Sequence, residues 1–223
     1  MSSGWFITGT DTGVGKTLIT SALLHALAAQ GKRVIGMKPV ASGCTESGSQ
    51  RSNEDAEQLI AVSNIEADYD TVCPYRFLTP IAPHLAAAEE GVEICIDRII
   101  DCYQILKPQA DRVLVEGVGG WAVPINEQYS MGDVAVRLGL PVVIVVGARL
   151  GCISHALLTQ QCILDRGLPL AGWVYNHFDP DMQRSDAVLA SLHDRMSAPL
   201  LGSIPFMRNA DPQQISTFLD LDQ

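Results

Sequence analysis

Short apolar runs alternate with amphipathic stretches along most of this chain. Val142 to Val146 is continuous and rich in β-branched residues, the pattern of a strand buried on both faces. Trp5-Phe6-Ile7, Arg33 to Met37, Val113-Leu114-Val115, Leu170 to Tyr175 and Leu200 to Ile204 have the length and composition of further strands. Between them the spacing predicts helices. Leu18 to Ala29 is the first, closed by Gly31, and Glu54 to Val62 follows with Asn53 or Ser52 as its cap. Glu93 to Leu106 carries an apolar stripe at Ile96, Ile99, Ile100, Tyr103 and Leu106, and Pro108 ends it. His155 to Arg166, Asp186 to Met196 and Gln213 to Leu219 complete the set. No linker, repeat or low-complexity block interrupts the alternation. It predicts one α/β domain over residues 1–223, three layers deep, with a mostly parallel central sheet covered by helices on both faces.

At the first strand–helix junction stands Gly9-Thr10-Asp11-Thr12-Gly13-Val14-Gly15-Lys16-Thr17. A glycine-bearing loop that enters a helix wraps backbone N–H groups around a polyphosphate, where the helix dipole also favours negative charge. Lys16 is placed to reach the outer phosphates and the Thr17 hydroxyl to ligate Mg²⁺, so the fold expected is of the P-loop NTPase type and the ligand a nucleoside triphosphate. The loop is longer than the plain form by one residue, since five residues separate Gly9 from Gly15.

In parallel sheets ligands gather at the carboxyl ends of the strands, which selects the polar residues worth following. Lys38 follows the second strand and can neutralise charge on a phosphate or an anionic substrate. Asp55 opens a helix. Val113-Leu114-Val115-Glu116 is an apolar strand ending in a carboxylate suited to Mg²⁺, and Gly117, Gly119 and Gly120 after it let backbone approach a ligand. Tyr175-Asn176-His177 ends another strand, where a side-chain amide could read an adenine edge.

The net charge of −10 argues against nucleic acid or an anionic membrane as partner, so the phosphate site is a local positive spot on an acidic body. No apolar run reaches the ~18 residues of a membrane span, and the first strand begins too early for a signal segment, so a cytoplasmic location is expected. The six cysteines form no C-x-x-C pair and read as reduced, mostly buried residues, with Cys152 set apart by its loop.

Together these stretches resemble the dethiobiotin synthetase family. The likeness rests on Thr8-Gly9-Thr10-Asp11-Thr12 with Val14-Gly15-Lys16-Thr17, on Lys38-Pro39-Val40-Ala41-Ser42-Gly43, and on Pro83-His84. It continues through Val113 to Gly117 with Gly119-Gly120-Trp121, Val145-Val146-Gly147, and Leu150-Gly151-Cys152-Ile153. Leu170 to Val174, Pro199 to Gly202 and Ile204-Pro205 extend it over nearly the whole chain. The resemblance implies ATP- and Mg²⁺-dependent carboxylation of 7,8-diaminononanoate by CO₂, then ring closure through a carbamate and its phosphate anhydride. It implies that Lys16 contacts outer phosphates, that Lys38 bridges carbamate and γ-phosphate, and that Thr17, Asp55 and Glu116 organise Mg²⁺. Thr12 and Ser42 then meet the substrate. Gly13, Val14, Gly15 and Leu18 hold the nucleotide, with Gly117, Val118 and Gly119 close by. Asn176 and His177 lie at the adenine, with Pro205, Phe206 and Met207 as its wall. The far carboxylate of the substrate falls to Gly151, Cys152, Ile153 and Ser154 of a neighbouring subunit, which implies a homodimer. Four positions depart from common family residues: Gly13 for glutamate, His177 for aspartate, Ser154 for asparagine and Phe206 for tryptophan. A different class, the nucleotide-driven dimer switches that position chromosomes and septa, shares the phosphate loop but usually carries an early loop lysine. Here Thr10, Asp11 and Thr12 fill that part of the loop.

Overall fold

Period-2 alternation sorts the apolar runs onto two faces of one sheet. The computed structural model describes residues 4–48 and 50–221. Its main strands are β1 (Gly4–Gly9), β2 (Val34–Met37), β7 (Arg112–Gly120), β8 (Val142–Gly147), β9 (Leu170–Asn176) and β10 (Leu200–Ile204). They pair in the order β10-β9-β8-β1-β7-β2, and every pairing is parallel. The helices are α1 (Lys16–Ala29), α2 (Glu54–Val62), α3 (Tyr69–Val72), α4 (Pro83–Glu89), α5 (Ile96–Leu106), α6 (Met131–Leu138), α7 (Cys152–Asp165), α8 (Ser185–His193) and α9 (Pro212–Ser216).

Phe6, Val113, Val115, Val142, Ile144, Val146, Trp173 and Tyr175 point to one face and pack with residues of α5, α6, α7 and α8, such as Tyr103, Val134, Ile163 and Leu192. Their immediate neighbours Ile7, Leu114, Val143, Val145 and Val174 point to the other and meet Leu23 and Leu24 of α1, Leu59 of α2 and Ile215 of α9. Both faces are therefore dry, which is why Val142 to Val146 shows no polar alternation. β1 lies inside the sheet, flanked by β8 and β7, so the loop after it opens into the crevice where strand order reverses.

Several boundaries differ from the sequence expectation for identifiable reasons. The cap of α2 is Asn53, whose Oδ1 accepts the Ala56 N–H at 3.3 Å. α5 starts at Ile96, not Glu93, because the backbone at Cys95 is extended, with its N–H held by the Tyr75 hydroxyl at 2.9 Å. α7 starts three residues before His155, at Cys152, with Gly151 at φ 93° turning the chain into it. α8 ends at His193, three residues short of Met196. α9 is shorter than expected because Leu219 bridges Gly202 and the Asp220 N–H bonds Leu201, which adds the tail to β10. α6 was not anticipated, although a Ser130–Asp133 capping box opens it and Gly139 closes it. Between β2 and β7 lie strands too short for periodicity: β3 (Val40–Ser42) beside β6 (Tyr75–Phe77), and the hairpin of β4 (Thr45–Ser47) and β5 (Gln50–Ser52). All six cysteines are free. Cys44, Cys73, Cys102 and Cys152 are buried, in keeping with the expectation of mostly buried residues, whereas Cys95 and Cys162 are exposed. Among the described residues no helix is long and apolar enough to cross a membrane.

Gly36 in β2 sets the distance to the helix that carries Asp55. A Cβ there would stand 2.8 Å from Leu59 Cβ and 3.0 Å from Leu24 Cδ1. Gly36→Val should therefore lower stability by about 1–3 kcal/mol, read from the chemical denaturation midpoint. An unchanged midpoint would mean that α1 and α2 do not pack this tightly on the strand.

Candidate active site

The chain leaves β1 and turns through residues 10–15 into α1. Gly13 and Gly15 take φ values of 74° and 89°, a region that side-chain-bearing residues avoid. At Gly15 the lack of a side chain matters twice, because a Cβ would fall 2.3 Å from Asn176 Nδ2. That amide, on the last residue of β9, donates to the Val14 carbonyl at 2.9 Å and is itself buried. α1 has no side-chain cap, so its first-turn N–H groups face the loop hollow and favour an anion there. Lys16 Nζ donates to the Asp11 carbonyl at 2.9 Å, folded back over its own loop. Burial and then the nearby Lys38 charge lower its pKa to about 8, against partial support from Glu116, Asp55 and Asp11.

Beneath the loop lies a buried charge cluster. Lys38 is 3% exposed, and its ammonium donates to Glu116 Oε1 at 2.6 Å and to Asp55 Oδ2 at 2.8 Å. Burial opposes the charge, but Glu116 and Asp55 outweigh it and hold the pKa above the usual lysine range. Asp55 shows the converse. Burial alone would raise its pKa, yet Lys38, with help from Thr17 and Lys16, holds it below the carboxylate norm. Glu116 is fully buried, and its Oε1 also accepts the Thr17 hydroxyl at 2.8 Å. Lys16, Thr17, Lys38, Asp55 and Glu116 thus converge from α1, the exit of β2, α2 and β7.

The strand bearing Glu116 does not end there, as the sequence implied, but runs on to Gly120. Ile7 pairs with Glu116 and Gly9 with Gly120, so β7 spends four residues where β1 spends two. The resulting bulge carries Gly117, Val118 and Gly119 past the phosphate loop. Gly119, at φ 62°, is near enough to the loop that a Cβ would lie 3.6 Å from the Thr12 hydroxyl.

Glu116 Oε2 is buried without a hydrogen-bond partner. An orphaned carboxylate oxygen beside the Thr17 hydroxyl and Asp55 is the donor set of a hard cation. No group of three or more His, Cys, Asp or Glu among the described residues could hold a metal alone. Such a site suits Mg²⁺, which takes much of its shell from phosphate and water.

The remaining predicted residues fall around this centre. Thr12 is exposed and lines a 480 Å³ hollow with Thr10, Asp11, Trp121, Val123 and Leu158. Leu18 is partly buried on the first turn of α1, and Ser42 closes β3 opposite Phe77. His177, Pro205 and Phe206 line a 440 Å³ hollow. Met207 packs on the α1 side of the core instead. His177 is held between Ser203 at 3.1 Å and Ser185 at 3.0 Å, and burial lowers its pKa despite Asp186. Gly151, Cys152 and Ile153 line a second hollow of 380 Å³ with Arg149, Asp179, Asp181 and Met182, and Ser154 follows them, exposed, in the first turn of α7. Sequence reasoning gave no role to Arg149, whose guanidinium pairs with the Asp11 carboxylate. Arg149 lies two residues past the end of β8, and the strand-end rule that found Lys38 would have found it.

The family model described as an AAA domain matches residues 3–214. The ATP-dependent dethiobiotin synthetase BioD of Aromatoleum aromaticum is 52% identical over 217 residues, which covers 97% of this chain and 96% of that one. The protein of the same name from Nitrosospira multiformis is 48% identical over 221 residues, 99% of this chain and 96% of that one. Among solved structures, the MinD cell division protein of Aquifex aeolicus superposes with a TM-score of 0.57 at 20% identity, covering 91% of this chain and 82% of its own. A ParA family ATPase from Chlorobium tepidum gives 0.56 at 16%, covering 96% and 90%. At such identities these two share the fold alone.

Removing the Lys38 charge leaves Glu116 buried and uncompensated. Lys38→Met should cost about 3–5 kcal/mol in denaturation, and adding Glu116→Gln to it should restore most of the loss. A double variant no more stable than the single would show that the two charges do not depend on each other.

Proposed function

The chain belongs to the ATP-dependent dethiobiotin synthetase family, and on that premise we propose how its residues carry out the reaction. The activity is that of a cyclo-ligase of biotin biosynthesis, which closes a cyclic urea on a vicinal diamine at the expense of ATP. One amine of 7,8-diaminononanoate adds CO₂ and becomes a carbamate. A carbamate oxygen attacks the γ-phosphorus and ADP leaves. The second amine then attacks the carbonyl carbon and displaces phosphate.

Carbamate and triphosphate are both anions, so the protein's task is positioning and charge neutralisation. The observation that carries the assignment of roles is Lys38, a buried ammonium kept charged by Glu116 and Asp55 directly beneath the phosphate loop. There it offsets the charge shared by carbamate and γ-phosphate. The α1 N-terminus and Lys16 hold the outer phosphates, Lys16 exchanging the Asp11 carbonyl for them. Thr12 and Ser42 contact the reacting end. Asn176, His177, Pro205 and Phe206 border the base. Thr17, Asp55 and Glu116 would hold Mg²⁺, which supplies further neutralisation of phosphate charge when bound.

A second copy supplies the far end of the site. Gly151, Cys152 and Ile153 line a hollow of their own beside Arg149, and next to them Leu150 is 98% exposed. A homodimer that covers this edge brings the free N–H groups of α7 to the substrate carboxylate. Six free cysteines and the net charge of −10 support a cytoplasmic enzyme with small-molecule substrates, without nucleic acid or membrane as partner. The dimer-switch alternative is left with fold likeness only.

Mixing the protein with Mg-ATP, bicarbonate and 7,8-diaminononanoate should release phosphate in a diamine-dependent manner. The product should be heavier than the diamine by one carbonyl less two hydrogens in its mass spectrum. Phosphate release indifferent to diamine and bicarbonate would overturn the reading.

A further inference from the structure

The phosphate loop is stitched to the exit of β8 at alternate residues. The Thr10 N–H donates to the Val145 carbonyl at 3.0 Å, the Gly147 N–H donates to the Thr10 hydroxyl at 3.4 Å, and the Arg149 guanidinium pairs with the Asp11 carboxylate. Asp11 is the node of the loop. Its Oδ1 accepts the Thr12 N–H at 2.7 Å, its Oδ2 takes Arg149, and its carbonyl takes Lys16. Both side chains of the ion pair are about 40% exposed, so the pair adds little to stability. Its effect lies in the charge it places beside the loop.

Around the loop Lys16, Lys38 and Arg149 stand against Asp11, Asp55 and Glu116. Asp55 and Glu116 are compensated by Lys38, whereas the carboxylate of Asp11 has its ion pair with Arg149. Without that cation, Asp11 would present a bare negative charge to an incoming triphosphate and could swing off the Thr12 N–H. We propose that Arg149 is a positioning residue for nucleotide binding: it neutralises Asp11 and holds its carboxylate on Thr12, so that the loop accepts a polyanion. Because Arg149 also bonds through its carbonyl to the Cys152 N–H at 3.0 Å, it fixes the turn into α7 at the same time. The inference rests on the phosphate loop being the triphosphate site.

The test is MgADP and Mg-ATP binding by titration calorimetry, with KM and kcat measured alongside, for wild type, Arg149→Ala, Arg149→Lys, Asp11→Asn and the double variant Arg149→Ala/Asp11→Asn. Arg149→Ala should weaken nucleotide binding by roughly five- to tenfold, raise KM for ATP more than it lowers kcat, and lose less at high salt. Arg149→Lys should stay near wild type. The double variant should recover most of the loss, because it removes the uncompensated charge together with its partner, a rescue that a purely structural role for Arg149 would not give. Arg149→Ala binding within twofold of wild type would overturn the proposal, as would a double variant no better than the single. Wild-type protein that binds neither nucleotide would instead overturn the triphosphate site itself.

Discussion

One ammonium group, that of Lys38, is withdrawn from water at the carboxyl edge of the sheet, and it needs negative partners on two sides. Glu116 reaches it from the neighbouring strand and Asp55 from the first turn of α2. Lys38 and the two carboxylates depend on each other, since the desolvation cost of the ammonium and of the buried Glu116 is offset chiefly by their mutual attraction. Much of the surrounding architecture follows. α2 must pack closely on β2, which Gly36 permits, and Glu116 must lie well inside the sheet, where Ile7 is its register partner. The unpartnered Glu116 Oε2 is the residue of that arrangement, a lone pair set aside within a site whose other groups are satisfied.

The sheet supplies rigidity from its two dry faces. Alternate side chains of β1, β7, β8 and β9 enter separate apolar clusters, so no central strand can slip by one residue without turning its whole set to the wrong helices. Rigid strands let their ends carry function. Lys38, the Gly117–Gly119 bulge, Arg149 and Asn176 all sit at or just past strand ends, and the phosphate loop runs among them. Asn176 supports the loop through Val14 while occupying the space a side chain at Gly15 would need, so loop conformation and strand end are matched to each other.

The legible parts of this molecule were those with strong local signals. Gly13, Gly15 and Lys16 announce an anion loop through backbone freedom and charge, and continuous β-branched runs announce doubly covered strands. The apolar stripe of α5 located that helix but not its first residue, because the Tyr75 hydroxyl that captures the Cys95 N–H is twenty residues away. The three-residue strands β3 to β6 have no period to read. The extension of β7 through a glycine bulge was hidden because Gly117, Gly119 and Gly120 locally favour a loop. Asp11 and Arg149 were visible as residues but not as a pair, for nothing in their separation of 138 positions signals contact. The hollow that Gly151, Cys152 and Ile153 share with Asp179 and Asp181 is likewise a property of the fold and not of any local pattern.

The distances along the chain that these contacts span have a kinetic meaning. Thr17 to Glu116 closes 99 positions, Lys38 to Glu116 closes 78, and Val14 to Asn176 closes 162. In a parallel sheet no site contact of this kind forms early, because each requires a long loop to close first. A chain folding from its amino end holds a phosphate loop long before it holds the strand that locks it. The loop therefore takes its final form only after β9 has joined, because Val14 and Gly15 are fitted to Asn176, and its shape is the mark of a finished sheet.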